Sequence, residues 1–323
     1  MTPDGLPPGS GRLRATWALK KLLLVLGVVA TGYALALLFW ADSPKAAWAV
    51  LWSWAGLQAA ALCLLSYGLR GLRWRFWMAH HGRHFGWLQG LRLYLAGYAF
   101  TPTPANIGEA ARGLMLARQP LGAAQSLAIF GAERLADLLC LLLLCLPAAG
   151  WLLGQPVVRA ALQAAPRLLP VVLVLGALCL ALLVGLLARH RRTLLRRFAW
   201  LQGAWHCLAL RPWVWFFLTL AAWAAQGLAV WLICRALQVD LPLLTATAFY
   251  ALAMVAGALS ALPAGLGGTE VVLAGLLVAQ GATPGAALSI TLLARLLTLW
   301  LAVAIGLAAL LYSAAIRKDI SFS

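Results

Sequence analysis

Long apolar runs constrain this chain more than any other feature of its sequence. A helix needs about 20 apolar residues to cross ~30 Å of hydrocarbon. Only 10% of the residues are charged, whereas a soluble domain carries roughly a quarter. The sequence therefore predicts an all-α integral membrane protein, a polytopic helical bundle of about six full spans. The runs cover about residues 17–40, 46–69, 121–150, 170–188, 212–237 and 285–312.

The distribution of positive charge predicts the orientation of these spans. The formal net charge is +17, and the basic residues cluster in short segments between apolar runs, which is typical of cytoplasmic loops. With six spans and both termini in the cytoplasm, the outer side receives only Lys45, Arg159, Arg167 and Arg235. We therefore expect a multi-pass protein of the bacterial cytoplasmic membrane, with N and C termini cytoplasmic. No nucleic-acid partner is expected, because no basic stripe with interleaved stacking aromatics lies outside the apolar runs.

The remaining segments receive simple interpretations. Residues 1–16 are rich in proline and glycine and are predicted to be a disordered cytoplasmic N-terminus, residues 17–314 one transmembrane domain, and residues 315–323 a cytoplasmic tail. The segment "RGLRWRFWMAHHGRH", residues 70–84, is predicted to be a basic loop, and residues 189–211 a helix lying in the membrane interface. The six cysteines lack CxxC spacing, so we expect no disulfide framework, no metal site and no cofactor.

Two apolar stretches, residues 88–118 and 243–281, are broken at their centres by proline and glycine. An even number of spans with cytoplasmic ends requires each stretch to enter and leave on the same side, as a re-entrant broken hairpin. Irregular backbone at membrane depth survives only where protein or water satisfies its polar groups. Both breaks are therefore predicted to face an interior cavity.

Similar motifs recur in the same order in the two halves of the domain, about residues 17–155 and 165–314. "PANIGEAARG" in the first half matches "PAGLGGTE" in the second, and Glu109 precedes Arg134 by the same 25 residues that separate Glu270 from Arg295. Each half would hold two spans, a broken hairpin and a third span. An odd number of full spans per half predicts an inverted-topology repeat, with a site where the halves meet.

The broken hairpins also predict anion-binding helix ends. After Pro104, Asn106 is a candidate N-cap and Glu109 follows at capping-box spacing. A helix restarting there would point its free N–H groups and positive dipole end into the cavity, where they favour an anion such as a phosphate. In the second half an anion-binding helix end of the same kind is predicted from Pro263, Gly265, Gly267 and Thr269.

Ionisable groups at bilayer depth are costly and mark functional sites. We expect Arg134 and Arg295 to bind an anionic headgroup, while Glu109 and Glu270 tune the local charge, orient the arginines or carry a coupling proton. A structural alternative remains open, in which these groups only pair with one another. In that alternative Glu133 and Asp137 bracket Arg134, and Glu109 neutralises Arg112.

Four motifs together resemble the lysylphosphatidylglycerol synthase transmembrane-region family, also called the flippase-like domain. They are "GEAARG", "ERLADLL", "LPAGLGGTE" and "LLARLLTLW", and the resemblance covers about residues 17–314. In multiple peptide resistance factors such a domain moves an aminoacylated phospholipid made by an attached synthase. We expect no synthase here, and stand-alone relatives look like lipid transporters, some associated with hopanoid or other lipid synthesis. The resemblance nominates Pro104, Gly108, Glu109, Arg112, Glu133, Arg134, Asp137, Pro263, Gly265, Gly267, Glu270 and Arg295.

The expected function is therefore a flippase-like membrane lipid transporter for an anionic or phosphate-bearing lipid. A secondary transporter of a small anionic solute would use the same inverted halves. An accessory subunit bound to lipid-biosynthesis enzymes is a further alternative. An intramembrane enzyme is disfavoured, because no nucleophile with an adjacent base and no metal triad is found.

Overall fold

The computed structural model describes residues 44–116, 120–156, 199–260 and 262–315, with a few single positions elsewhere. The predictions for the N-terminal segment, for the runs at 17–40 and 170–188, and for the tail beyond residue 315 lie almost entirely outside the described residues. Within them, helices and short connecting turns form the fold. This confirms the predicted helical class.

The described helices follow in chain order, with three 3₁₀ turns and one π-helical turn between them. The helices are α1 Pro44–Trp52, α2 Trp54–His80, α3 Trp87–Ala96, α4 Ala111–Leu114, α5 Ala123–Leu144, α6 Leu146–Gly154, α7 Ala199–Ala209, α8 Pro212–Ala236, α9 Leu243–Leu259, α10 Gly268–Ala279, α11 Pro284–Arg295 and α12 Leu301–Ala315. The 3₁₀ turns are Gly97–Phe100, Pro104–Ala110 and Pro263–Gly265, and the π-helical turn is Leu296–Trp300.

Three helical stretches among the described residues are long and apolar enough to cross a membrane. They are Ala123–Gly154, Pro212–Ala236 and Pro284–Ser313. Two shorter apolar stretches, Leu243–Leu259 and Pro263–Ala279, belong to the second broken hairpin. These lengths agree with a helical membrane protein, and the total of about six spans stays a prediction.

Helix α2 corrects one prediction. The sequence indicated that a span ends near Leu69 and that a basic loop follows, but α2 continues without a break to His80. Arg70, Arg73 and Trp77 lie at helical spacing on one buried face. This face packs against α8. Arg73 pairs with Asp137 and bonds to Thr219, and Arg70 donates to the Gln226 amide, so the helix continues through both residues.

The bundle core is built around the α2–α8 pair. Helix α9 packs between α8 and α10, while α5 packs against α7 and α8, and α12 packs against α3. Helix α7 is the described part of the predicted interfacial helix. It buries Ala204 and Cys207 and leaves Trp205 exposed, while the Trp77 indole donates to the Cys207 carbonyl at 2.9 Å. Residues 190–198 of that prediction lie outside the described part.

The two broken stretches are interrupted where the sequence predicted. In the first, α3 passes into the turns Gly97–Phe100 and Pro104–Ala110 before the short α4. In the second, α9 ends at Leu259, and α10 begins only after the turn Pro263–Gly265. The turns Pro104–Ala110 and Pro263–Gly265 contact each other. The predicted meeting of the two interruptions is therefore present in the fold.

The predicted cap at the first interruption is wrong. Asn106 lies inside the 3₁₀ turn with a left-handed φ of 55°. The turn begins at Pro104 after the extended residue Thr103, whose hydroxyl accepts from the Gly108 N–H further along the turn at 2.9 Å. Glu109 points into the bundle and does not close a capping box.

The predicted cap at the second interruption is also wrong. Helix α10 follows Gly267, whose φ of 84° favours glycine. The Thr269 hydroxyl is buried in the first turn of α10, where the described residues give it no hydrogen-bond partner. It lies against the backbone of Gly257 and Gly265, where an added Cβ atom would collide. Thr269 therefore packs α10 against α9 and the turn that joins them.

Candidate functional site

Most of the predicted charged residues meet in one buried group beside the first interruption. Glu109 and Arg112 come from the interrupted segment, whereas Glu133, Arg134 and Asp137 come from α5. The structure adds Arg73 from α2, which donates to Asp137. We call this group the charge cluster; its members are Arg73, Glu109, Arg112, Glu133, Arg134 and Asp137.

Arg112 joins the interrupted segment to α5. Its Nη1 donates to both oxygens of Glu133 at 3.2 Å, and its Nη2 donates to Glu109. The guanidinium also lies over the Tyr94 ring, 4.5 Å from the ring centre. Glu109 accepts a further bond from the Thr101 hydroxyl at 2.8 Å. The two carboxylates therefore fix Arg112 in place.

Arg73 joins α2 to the same carboxylates. Its Nη1 donates to Asp137 Oδ1 and to the Thr219 hydroxyl, each at 2.8 Å. Its Nη2 lies 3.9 Å from Glu133 Oε1. The Trp223 indole also donates to Asp137 Oδ1, at 3.3 Å. Since Arg73 is fully buried, these charge-assisted bonds compensate its lost hydration.

Arg134 is the most accessible guanidinium of the charge cluster. Its side chain keeps 34% of its exposure, while the acidic partners are almost fully buried. Its Nη2 lies 3.2 Å from Asp137 Oδ2 and 3.7 Å from Glu109 Oε2. These contacts are longer than those of Arg112 and Arg73 to their nearest carboxylates. Arg134 is thus the member that can exchange a carboxylate for an incoming anion most easily.

A second charged pair stands at the second interruption. Arg295, the last residue of α11, donates from Nε to Glu270 Oε1 at 2.7 Å and from Nη2 to the Ala264 carbonyl at 2.7 Å. Ala264 has a left-handed φ of 54°, so Arg295 braces a strained turn. The equal spacing of 25 residues thus corresponds to an ion pair in both halves.

The structure brings together the predicted site residues in these two groups. The ion pairs of the structural alternative are present, including Glu109 with Arg112 and Arg134 with Asp137. Their assignment as substrate-binding residues stays a prediction. The supporting positions lie in or beside the interrupted turns: Pro104, Asn106, Gly108, Pro263, Gly265, Gly267 and Thr269.

Sequence reasoning missed Arg70 and Arg73. Both were included in a basic loop because the segment carries a charge every few residues. A helical reading was available, since Tyr67, Arg70, Trp74 and Trp77 follow the helical period that begins in the preceding apolar run. All four are buried on α2.

The charge balance of this region favours an anion. Arg70 on α2 lies within electrostatic range of Asp137. Buried positive charge in excess of its counter-charges is costly in a membrane interior. A singly charged anion would balance the region. Among the described residues, four guanidinium groups, of Arg70, Arg73, Arg112 and Arg134, face three carboxylates, of Glu109, Glu133 and Asp137.

Residues 23–306 match the sequence model of the family described as the lysylphosphatidylglycerol synthase TM region. The chain belongs to this family. The match to the lysylphosphatidylglycerol synthase TM region includes both interrupted turns and every residue of the charge cluster. It confirms the resemblance drawn from the four motifs. Together with the apolar helices, it shows a multi-pass membrane protein.

A curated relative is similar over part of the chain. It is a UPF0104 membrane protein of Methanothermobacter thermautotrophicus, 37% identical over 91 residues. The aligned part is 28% of this chain and 27% of the relative, so this chain matches about a quarter of the relative's length. The similarity supports membership of a membrane-protein family.

Proposed function

We propose that this protein is a flippase-like transporter that moves an anionic, phosphate-bearing lipid across the cytoplasmic membrane. One observation carries the proposal. Two interrupted segments, one from each half of the chain, meet inside the bundle beside buried arginines whose charge exceeds that of the neighbouring carboxylates. Such a meeting point is where transporters with broken helices bind substrate.

The surroundings of Arg134 favour a lipid over a free solute. On α5 the neighbouring Leu135, Leu138 and Leu142 are exposed, which suits a helix face turned toward acyl chains. In the first interrupted segment Ile107 is exposed as well, only two residues from buried Glu109. A headgroup could therefore reach Arg134 while its acyl chains stay in the bilayer.

The carboxylates beside Arg134 allow the site to release a bound phosphate. An arginine group without counter-charges would hold a phosphate too tightly to turn over, whereas Glu109 and Asp137 compete for Arg134 at 3.7 and 3.2 Å. Exchange between a carboxylate and the phosphate keeps Arg134 paired during passage. Glu109 and Glu270 are also the proposed carriers of a coupling proton.

The matched ion pairs support an inverted repeat. Glu109 with Arg134 and Glu270 with Arg295 have the same spacing and the same pairing. We propose six full spans, cytoplasmic termini and alternate opening of the two halves around the meeting point. We propose no catalytic role, and lipid-biosynthesis enzymes remain proposed partners.

The Arg134→Gln variant tests this function. We expect it to fold, because the side chain is partly exposed and Arg73 and Arg112 still compensate the three carboxylates, and to translocate lipid at least tenfold more slowly. The measurement reconstitutes the protein in vesicles with headgroup-labelled phosphatidylglycerol or phosphatidylcholine and follows quenching by an impermeant reductant. Arg75→Gln is the matched control, because Arg75 is half-buried on α2, lies outside the charge cluster, and donates from Nε to the Phe85 carbonyl.

The wild-type protein is expected to expose phosphatidylglycerol faster than phosphatidylcholine. Quenching equal to that of protein-free vesicles for both lipids would contradict a lipid transporter. Uptake of inorganic phosphate without lipid movement would favour the solute transporter.

A further inference from the structure

Arg70 is a buried arginine that the ion pairs of the charge cluster do not include. It is 8% exposed, and its guanidinium lies 4.0 Å from the centre of the Trp223 ring. Its Nη2 donates to the Gln226 amide oxygen at 3.1 Å. Within the described residues, no carboxylate lies within ion-pair distance of Arg70, and its Nε is buried without a hydrogen-bond partner.

These partners are neutral, and Asp137 lies within electrostatic range but beyond ion-pair distance, so Arg70 has no full counter-charge among the described residues. The Gln226 oxygen is shared, because it also accepts from the Tyr250 hydroxyl at 3.1 Å. An amide oxygen and an aromatic face supply partial charge only, whereas a buried cation normally requires a full counter-charge. The described residues supply no ion-paired carboxylate to Arg70, so an anion bound there would gain a full counter-charge.

The neighbours of Arg70 contact elements of both halves of the chain. One turn before it on α2, the Tyr67 hydroxyl donates to the Leu297 carbonyl in the π-helical turn at 2.6 Å. The Tyr67 ring also contacts the ring of Tyr98, 5.4 Å between centres, in the first interrupted segment. Tyr250, which shares Gln226 with Arg70, lies within electrostatic range of Arg295. Arg70 thus has neighbours linked to both halves.

A hydroxyl donor is available on the same side. The Tyr94 and Tyr98 hydroxyl groups lie 3.1 Å apart. Only one O–H can point along that line, so the other keeps its proton for another acceptor. Tyr98 lies within electrostatic range of Arg70. A guanidinium and a phenol together suit an anion with several acceptor oxygens.

We infer that Arg70, assisted by the Tyr98 hydroxyl, binds the substrate's phosphate group, and that the group is a singly charged phosphodiester. The single negative charge of a phosphodiester, added to the three carboxylates, equals the positive charge of the four guanidinium groups of the region. The inference rests on the proposed function and assigns its headgroup class. The same chemistry is offered by a phospholipid headgroup and by free phosphate, which the experiment distinguishes.

The test measures binding to the full-length protein in detergent. The probes are dihexanoyl phosphatidylglycerol, dihexanoyl phosphatidylcholine and inorganic phosphate, and the readout is the thermal shift over a concentration series. We expect phosphatidylglycerol to bind the wild type and the Arg75→Gln control equally. Arg70→Gln is expected to raise its Kd at least tenfold, and Arg70→Lys to give an intermediate value.

The ligand-free variant gives an independent readout. Arg70→Gln removes an uncompensated charge, so its melting temperature without lipid is expected to equal or exceed that of the wild type. A purely structural arginine would instead lower it. An unchanged Kd for phosphatidylglycerol in Arg70→Gln would overturn the inference. The inference would also be overturned if Arg70→Gln failed to fold while Arg70→Lys folded and bound phosphatidylglycerol as tightly as the wild type.

The failure of this inference is separable from failure of the proposed function. If Arg70→Gln moves lipid at the wild-type rate, the role of Arg70 is overturned, but the protein is still a lipid transporter. Arg70-dependent binding in a protein that moves no lipid supports the anion site and overturns lipid transport. Binding of inorganic phosphate alone, without phosphatidylglycerol, supports an anion site at Arg70 and overturns the phosphodiester.

Discussion

Replacing Arg73 with methionine lowers the stability of the folded protein by about 3–5 kcal/mol, the expected cost of removing one partner of a buried ion pair. Arg73 is fully buried and bonds to Asp137 and Thr219 at 2.8 Å. Without it, the close donors that remain to Asp137 in the described part of the chain are Arg134 and the Trp223 indole. The measurement is reversible unfolding in mixed detergent micelles.

Two further variants separate charge from packing. Arg75→Met changes an arginine on the same helix that bonds to a backbone carbonyl, and we expect a loss below about 1 kcal/mol. The double variant Arg73→Met/Asp137→Asn removes both charges and is expected to recover part of the loss. Equal losses for Arg73→Met and Arg75→Met would show that the buried cluster does not stabilise the bundle.

Replacing Arg295 with glutamine abolishes lipid movement to within the background of protein-free vesicles. Arg295 binds Glu270 and the strained Ala264 carbonyl, each at 2.7 Å, so it holds the second interrupted turn at the meeting point. Its loss removes both a cation and the brace that positions this turn. The measurement is the headgroup-quenching assay in vesicles.

The double variant Glu270→Gln/Arg295→Gln tests whether the pair acts only as structural glue. It removes both charges, and we expect its melting temperature to return toward the wild-type value while lipid movement stays absent. Wild-type translocation in this variant would show that the pair is structural and has no role in transport.

The sequence alone predicted the elements that depend on local chemistry. Apolar runs of span length and the proline and glycine breaks identified α5, α8 and the two interrupted turns, because these features act within a few residues. The ion pair between Glu270 and Arg295 was also anticipated in part, because charged residues at membrane depth require partners.

The errors came from interactions that the local sequence does not contain. Arg70 and Arg73 looked like loop residues, since the side chains that accept their hydrogen bonds, Gln226 and Asp137, are far away in the chain. Asn106 was predicted to be a cap, but the turn begins at Pro104 after the extended residue Thr103, so Asn106 lies inside the turn. In each case a tertiary contact or a neighbouring backbone conformation outweighed the residue's own preference.

The headgroup composition of lipid that co-purifies with the protein tests the central claim most directly. The account predicts that wild-type protein carries a phosphate-bearing anionic lipid above its share in the host membrane. It also predicts that the Arg70→Gln/Arg134→Gln double variant, purified in the same way, loses this enrichment. Identical lipid composition in wild type, double variant and host membrane would contradict an anion-binding site at the meeting point of the two interrupted segments.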